Sequence, residues 1–268
     1  MLVDYHCHTH FSADSRTPMA EQCEAAINKG VQQIAFTEHE DYNPDDITAF
    51  FFKHEAYLKE VSRCRERYGD QLVIRAAIEV SEPHVHPEKA GPVLGQYDWD
   101  FVLGSLHWMQ PGINAFDEVF MTHAGDWRQS FRNYFTEMIT LAQAGDFDIL
   151  SHIDYPSRYN KHVHAGAYDI REYEEIIREV LRAVITRGKG IEINTNPLRK
   201  GLADPNPPAI VIGWYRELGG EILTLGSDAH MPKDVGAGID RAMTIAKDAG
   251  FTHIATFEQR KPAFVKLD

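Results

Sequence analysis

The feature of this chain that most limits its fold is a repeated unit: a short apolar run, a polar tip, and then a segment with helical periodicity. The apolar runs span residues 2–8, 33–39, 72–80, 100–107, 147–152, 190–194 and 222–228, with a weaker eighth at 252–257. Helix-like segments lie between them at 18–29, 45–68, 127–144, 170–186, 208–218 and 232–249. Several of these stop at a glycine, among them Gly30, Gly188 and Gly250. Strand and helix alternating at this spacing is the pattern of βαβ units around a parallel sheet. Seven or eight such units in one chain favour a closed or nearly closed α/β barrel. An open doubly wound sheet is the alternative, but no G-x-G-x-x-G phosphate loop follows the first run. A chain of 268 residues suits one such barrel, so residues 1–268 are expected to form a single domain.

The polar tips carry the chemistry. The first run ends in His6-Cys7-His8, the second in Thr37-Glu38-His39, and the third carries Glu79. The fourth ends at His107, the fifth at His152, and the seventh leads into Asp228 and His230. Side chains two apart on a strand share a face, so His6 and His8 point together while Cys7 points away. In a parallel barrel the C-terminal strand ends all meet on one face, where active sites of this architecture are built. Six of the fourteen histidines fall at these tips, a placement that scattered surface histidines would not respect. Imidazoles mixed with carboxylates suit Zn²⁺, Mn²⁺ or Fe²⁺ better than Mg²⁺ or Ca²⁺, which prefer oxygen shells. The donors exceed what one ion needs, so two or three ions are expected, with a carboxylate such as Glu79 as a bridge. Multinuclear sites generate hydroxide at neutral pH and hold both oxygens of an in-line phosphoryl displacement, which makes metal-assisted hydrolysis the expected chemistry.

Taken in order from residue 2 to about residue 230, the H-x-H start, "TEH", the third-run glutamate, "SLH", "SHID" and "SDAH" resemble the motif series of the PHP (polymerase and histidinol phosphatase) superfamily. The resemblance implies a distorted TIM-like (βα)7 barrel with a trinuclear metal site at the C-terminal strand ends, and an eighth run outside the barrel. It assigns His6, His8, Glu79 and Asp228 to one ion, and Glu79, His107 and His152 to a second, with Glu79 bridging. Asp14, His39 and His230 would hold the third; some family members place a histidine at the Asp14 position. Glu79, Asp228 and His39 are the expected catalytic residues. His10 matches no ligand, so it is expected behind the ligands or at the surface.

Two further stretches, "SHIDYPSRY" (151–159) and "EINTNPLRKG" (192–201), resemble the histidinol-phosphate phosphatase branch of that superfamily. Each carries an arginine, Arg158 and Arg199, just past a strand end, where a guanidinium fork could meet phosphate oxygens; the alternative is that they cover the rim or pair with nearby acids. The mechanism implied is attack on phosphorus by a metal-bridging hydroxide, with metals and arginines neutralising the growing charge. His39, Asp14 or a metal-bound water would protonate the leaving alkoxide. Tyr42, Trp108, Tyr155 and Tyr159 lie where they could wall a flat leaving group, and Asp154 could meet an ammonium. His84 and His86, in "EPHVHPEK", and His162 and His164, in "NKHVHAG", are read as loop residues. The acidic run at 172–179 reads as a solvated helix face.

Composition narrows the alternatives. A net charge of −13 argues against a nucleic-acid surface, which needs a basic footprint. No run approaches the roughly 18 apolar residues of a spanning helix, and no basic and apolar leader opens the chain, so a cytoplasmic location without membrane contact is expected. Three cysteines without C-x-x-C spacing fit reduced, incidental thiols. The expected function is phosphomonoester hydrolysis, of L-histidinol phosphate first and of a nucleotide or sugar phosphate as the alternative; a metal-bound module without turnover is the third reading.

Overall fold

Seven strands, each buried along most of its length, carry the architecture. They are β1 (Val3–Cys7), β2 (Gln33–Glu40), β3 (Val73–Ser81), β4 (Phe101–Ser105), β5 (Ile149–Leu150), β6 (Gly190–Asn194) and β7 (Leu223–Gly226). They pair in chain order, every pair parallel. A computed structural model supplies these coordinates and describes residues 1–46, 48–109, 112–160, 163 and 165–267. The sheet curls until its first and last strands meet. His8 N donates to Ala229 O at 2.8 Å and Asp228 N donates to His6 O at 2.7 Å, with Cys7 and Ala229 forming a parallel bridge. The result is the nearly closed, distorted (βα)7 barrel that the strand count and the resemblance implied.

Helices α1 (Met19–Asn28), α2 (His54–Tyr68), α3 (Pro87–Gln96), α4 (Trp127–Ala144), α5 (Glu174–Thr186), α6 (Ala209–Glu217) and α7 (Ile239–Asp248) follow the strands one for one. Each buries one stripe against the sheet. In α4 the stripe is Trp127, Phe131, Tyr134, Phe135, Met138 and Leu141, the 3–4 residue spacing of an amphipathic helix. Its start is fixed by Asp126, whose side chain accepts from the Arg128 and Gln129 amides.

The 45–68 segment is helical only from His54. Before it, Thr48 Oγ1 lies 2.8 Å from Asp41 Oδ2 and 2.6 Å from Asp46 Oδ1, and Phe50 adopts a left-handed φ of 62°. These local side-chain bonds and the reversed backbone compete with helix formation. In the 170–186 segment the first turn, Ile170–Tyr173, is a 3₁₀ turn. In 232–249 the left-handed Gly236 and Gly238 delay the helix until Ile239. His84 and His86 lie in a loop, as expected, but a helix that the sequence reading did not anticipate follows at once: His86 takes the N-cap position of α3, with Pro87 in its first turn and Pro92 inside it. Proline is tolerated at a helix start because that N–H has no partner there anyway. His162 and His164 lie outside the described residues.

The eighth run is no barrel strand. His253–Glu258 forms an antiparallel hairpin with Lys261–Lys266, here β8 and β9. Phe257 N donates to Tyr5 Oη at 3.0 Å, the Phe257 ring packs on Phe101 at 5.0 Å, and Arg260 N donates to Asp100 O at 2.9 Å. The hairpin thus closes the end of the barrel opposite the polar tips. Among the described residues no helix is long and apolar enough to cross a membrane.

Candidate metal centre

One carboxylate organises the mouth of the barrel. Glu79, fully buried near the end of β3, divides five imidazoles between its two oxygens. Oε2 lies 3.1 Å from His6 Nε2, 3.5 Å from His8 Nε2 and 3.2 Å from His39 Nδ1. Oε1 lies 2.9 Å from His152 Nε2 and 3.5 Å from His107 Nε2. On the far side of His8, Asp228 Oδ1 is 3.5 Å from His8 Nε2, 3.9 Å from His6 Nε2 and 3.5 Å from His230 Nδ1. Asp14, from the loop after β1, places Oδ2 2.9 Å from His230 Nε2 and 3.6 Å from His39 Nε2. All nine expected ligands therefore meet in one cluster.

The donor atoms fall into overlapping triads whose members lie within 4.8 Å of one another: His6–His8–Asp228, His6–Glu79–His152, His39–Glu79–His107 and His8–His39–His230. The triads overlap because His6, His8, His39 and Glu79 each belong to two of them. Asp14 joins none of them; its side chain is 49% exposed and reaches the cluster from the solvent side.

This donor set fits divalent transition ions. The His8 ring lies close to and nearly parallel with those of His39 and His230, at centroid distances of 4.3 and 4.2 Å. Buried His39 Nδ1 and His230 Nε2 find no well-aligned hydrogen-bond partner among the described residues. Imidazoles crowded with their lone pairs inward gain little from each other and much from a cation. Their protonation is correspondingly split. Burial, with His230 and His39 close by, pushes His8 down to about 3. Burial works the same way on His6, but Glu192, Glu79 and Asp228 outweigh it and hold that ring well above its ordinary value. Burial also acts on Glu79, yet His6 and His39 keep its carboxyl well below the usual carboxylate range.

The chain around the cluster is shaped to it. Glu192 on β6, which sequence reading passed over because its strand tip holds no histidine, accepts from His6 Nδ1 at 2.7 Å and from the His152 amide at 3.1 Å. Its one signal is a charged residue within a buried strand. A side chain at Gly226 would put its Cβ 2.3 Å from Glu192 Oε1 and 2.4 Å from His6 Cβ, so this close approach requires glycine. Glu82, also unforeseen, adopts a left-handed φ of 47° and accepts from the His107 and Trp108 amides at 2.6 and 3.0 Å. Ser105 Oγ donates to Glu79 Oε1.

Arg158 and Arg199 both reach the cluster, by different routes. Buried Arg158 donates from Nη1 to Asp228 Oδ2 at 2.7 Å and from Nε to Asn206 Oδ1 at 2.6 Å. Arg199 donates from Nη1 to Ser227 O at 2.7 Å and from Nη2 to Asp228 O at 3.1 Å. It thereby holds a peptide whose Asp228 stands at a left-handed φ of 57°. Tyr155 lies at 4.9 and 4.8 Å from the His107 and His152 rings, with Tyr159 beyond it at 5.4 Å. Tyr42 is buried, and Trp108 Nε1 donates to Asp46 Oδ2 at 2.7 Å. Asp154 accepts from Asn206 Nδ2 at 2.7 Å, and burial pushes its carboxyl up to about 7. His10 is exposed, against Phe11, and His84 stands apart from the cluster, 3.6 Å from Glu137. All three cysteines are buried free thiols.

A seven-stranded barrel whose C-terminal strand ends converge on buried histidines and carboxylates defines a class, and residues 4–196 match the family model of the PHP domain. The chain belongs to that family and is a PHP-type metal-dependent phosphoesterase. Within the family its similarity runs to histidinol-phosphatases. It is 29% identical to the histidinol-phosphatase of Lactococcus lactis subsp. lactis, covering 97% of this chain and 95% of that one. It is 31% identical to a probable histidinol-phosphatase of Clostridium acetobutylicum, covering 97% and 98%. The crystal structure of the Lactococcus lactis histidinol phosphate phosphatase, complexed with zinc, L-histidinol and phosphate, matches the present fold with a TM-score of 0.89 and 27% identity, covering 98% of both chains.

Proposed function

We infer that this protein hydrolyses L-histidinol phosphate to L-histidinol and inorganic phosphate. The observation that carries the reading is the near-complete structural likeness to a phosphatase whose structure holds zinc, L-histidinol and phosphate. The residues held in the cluster are consistent with it. His6, His8, Asp14, His39, Glu79, His107, His152, Asp228 and His230 would hold two or three divalent ions, with zinc, manganese and iron suited to this mixture of imidazole and carboxylate. Bound there, such ions would supply an activated water at neutral pH and offset the charge that builds on phosphorus.

The protein's own groups do the rest. Glu79 presents one carboxylate oxygen to each half of the cluster and fixes the spacing between them. Asp228 sits between the histidines and Arg158 Nη1, so the guanidinium that would meet the phosphoryl oxygens is aligned by a ligand. Arg199 orients the Ser227–Asp228 peptide and is the second candidate for the phosphoryl group. The P–O bond to the alcohol breaks as the water oxygen adds, and the alkoxide takes a proton from the open side, where Asp14 and His39 are partly exposed. Tyr155, packed on two of the rings, would form one wall for the leaving group.

The deciding experiment compares phosphate release from L-histidinol phosphate with release from a panel of nucleotide and sugar phosphates, using zinc- or manganese-loaded protein. A kcat/KM for L-histidinol phosphate above roughly 10⁴ M⁻¹s⁻¹ and well above the others supports the reading. A stronger hit elsewhere in the panel reassigns the leaving-group pocket and leaves the metal chemistry in place.

A further inference from the structure

We propose that Ser12 and Ser81 are positioning residues that fix the tautomers of His8 and His107, each by passing the demand of a buried carboxylate for a proton on to a ring nitrogen. The inference rests on the metal reading above and adds to it the question of which nitrogen of each ring is left bare.

A serine hydroxyl has one hydrogen to give. Ser12 Oγ lies 2.6 Å from Glu38 Oε2, and Ser81 Oγ lies 2.5 Å from Asp41 Oδ1. In each of these short contacts the hydroxyl is the donor and the carboxyl oxygen the acceptor, so each serine's one hydrogen is spent there. Glu38 also accepts from the Thr9 amide at 3.0 Å and from Thr9 Oγ1 at 2.6 Å, which fills it with donors. The serine oxygens must then accept from the rings: His8 Nδ1 is 3.1 Å from Ser12 Oγ and His107 Nδ1 is 2.9 Å from Ser81 Oγ. Ser12 Oγ also accepts from the His39 amide at 3.0 Å, as an acceptor should.

Each Nδ1 therefore carries the proton and each Nε2 keeps its lone pair. Nε2 is the atom turned to the cluster in both rings, 3.5 Å from a Glu79 oxygen in each case. His6 has no such serine: Glu192 Oε1 meets its Nδ1 directly at 2.7 Å. The same arrangement occurs on both sides of β2: Ser12 follows β1 and works with Glu38 of β2, whereas Ser81 ends β3 and works with Asp41 just after β2. A proton on a ligand's outer nitrogen, held by a carboxylate, orients the ring and raises its donor strength.

The test uses the full-length protein, ¹⁵N-labelled at histidine, with Ser12→Ala and Ser81→Ala as probes and Ser81→Thr as the conservative variant. In metal-free wild type, long-range ¹⁵N–¹H spectra should show Nδ1–H for both rings, and each alanine change should disturb the ring it faces. Zinc affinity, measured by chelator competition, should fall roughly 10- to 100-fold for one ion in each alanine variant and recover in Ser81→Thr, with the metal-free alanine variants still folded though a few degrees less stable, since a buried carboxyl loses a donor. Nε2–H tautomers in the wild type, or wild-type zinc affinity in both alanine variants, would overturn the proposal. If the wild type binds no zinc, the metal reading fails instead, and the tautomer spectra still decide the role of the serines.

Discussion

Removing the charge of Glu79 takes away the carboxylate that five of the cluster's imidazoles share. Glu79→Gln is expected to lower zinc content per chain and to reduce kcat/KM at least 10³-fold, as read by elemental analysis beside phosphate release; full metal content with full turnover would dismiss the bridging role. Arg199→Ala should lower kcat/KM by roughly 10- to 100-fold, because two carbonyls flanking Asp228 lose their donors together and no lysine fork can replace them. Unchanged kinetics would remove Arg199 from the site. Glu82 gives a pH prediction. Burial lifts its carboxyl from an ordinary 4.5 to about 8, so the folded state holds a proton that the unfolded chain releases. The associated stability is complete below about pH 4.5 and drains away as pH rises toward 8. In metal-stripped protein, the melting temperature of the wild type should therefore fall by several degrees relative to Glu82→Gln between pH 5 and pH 8. A difference that stays flat with pH would refute this. At this scale the sequence was informative wherever a histidine stood at a strand tip, as with His107 and His152. It was silent on Glu192 and Glu82, whose value lies in which atoms they face across strands.

Elements were legible where a periodic apolar stripe sets them. The segment at 127–144 forms a helix over those same residues, whereas α3 was hidden by Pro87 and Pro92, and residues 45–53 looked helical while local side-chain bonds folded them otherwise. The C-terminal hairpin shows an element set by tertiary contact rather than by propensity. Its turn residues Gln259 and Arg260 both have positive φ, 50° and 60°, a conformation usually given to Asn-Gly. Asp100 offsets the strain by accepting from both amides, through Oδ1 from Gln259 at 3.2 Å and through its carbonyl from Arg260 at 2.9 Å. The Arg260 side chain pairs with Asp146 at 2.6 Å and Asp148 at 3.1 Å. These pairs are partly exposed, so Arg260→Ala is expected to cost about 1 kcal/mol, seen as a drop of roughly 2–4 °C in melting temperature with turnover unchanged. A loss of turnover would mean that the floor of the barrel communicates with its mouth.

For the whole molecule, the count of strand-and-helix units foretold the barrel, but nothing in the residue pattern marked where the first and last strands would join. That join is made by site residues: Asp228 N to His6 O and His8 N to Ala229 O. The same residues offer His6 Nε2, His8 Nε2 and Asp228 Oδ1 to one triad. Amide deuterium uptake, followed by mass spectrometry, should accelerate at His8 and Asp228 on zinc removal, while β2 and β3, paired along eight residues, change little. Equal uptake with and without zinc would separate the join from the site. The join behaves as a clasp sewn through the buttonhole it closes: whatever loads the mouth also fastens the wall, and an unloaded molecule would come undone first along this one edge.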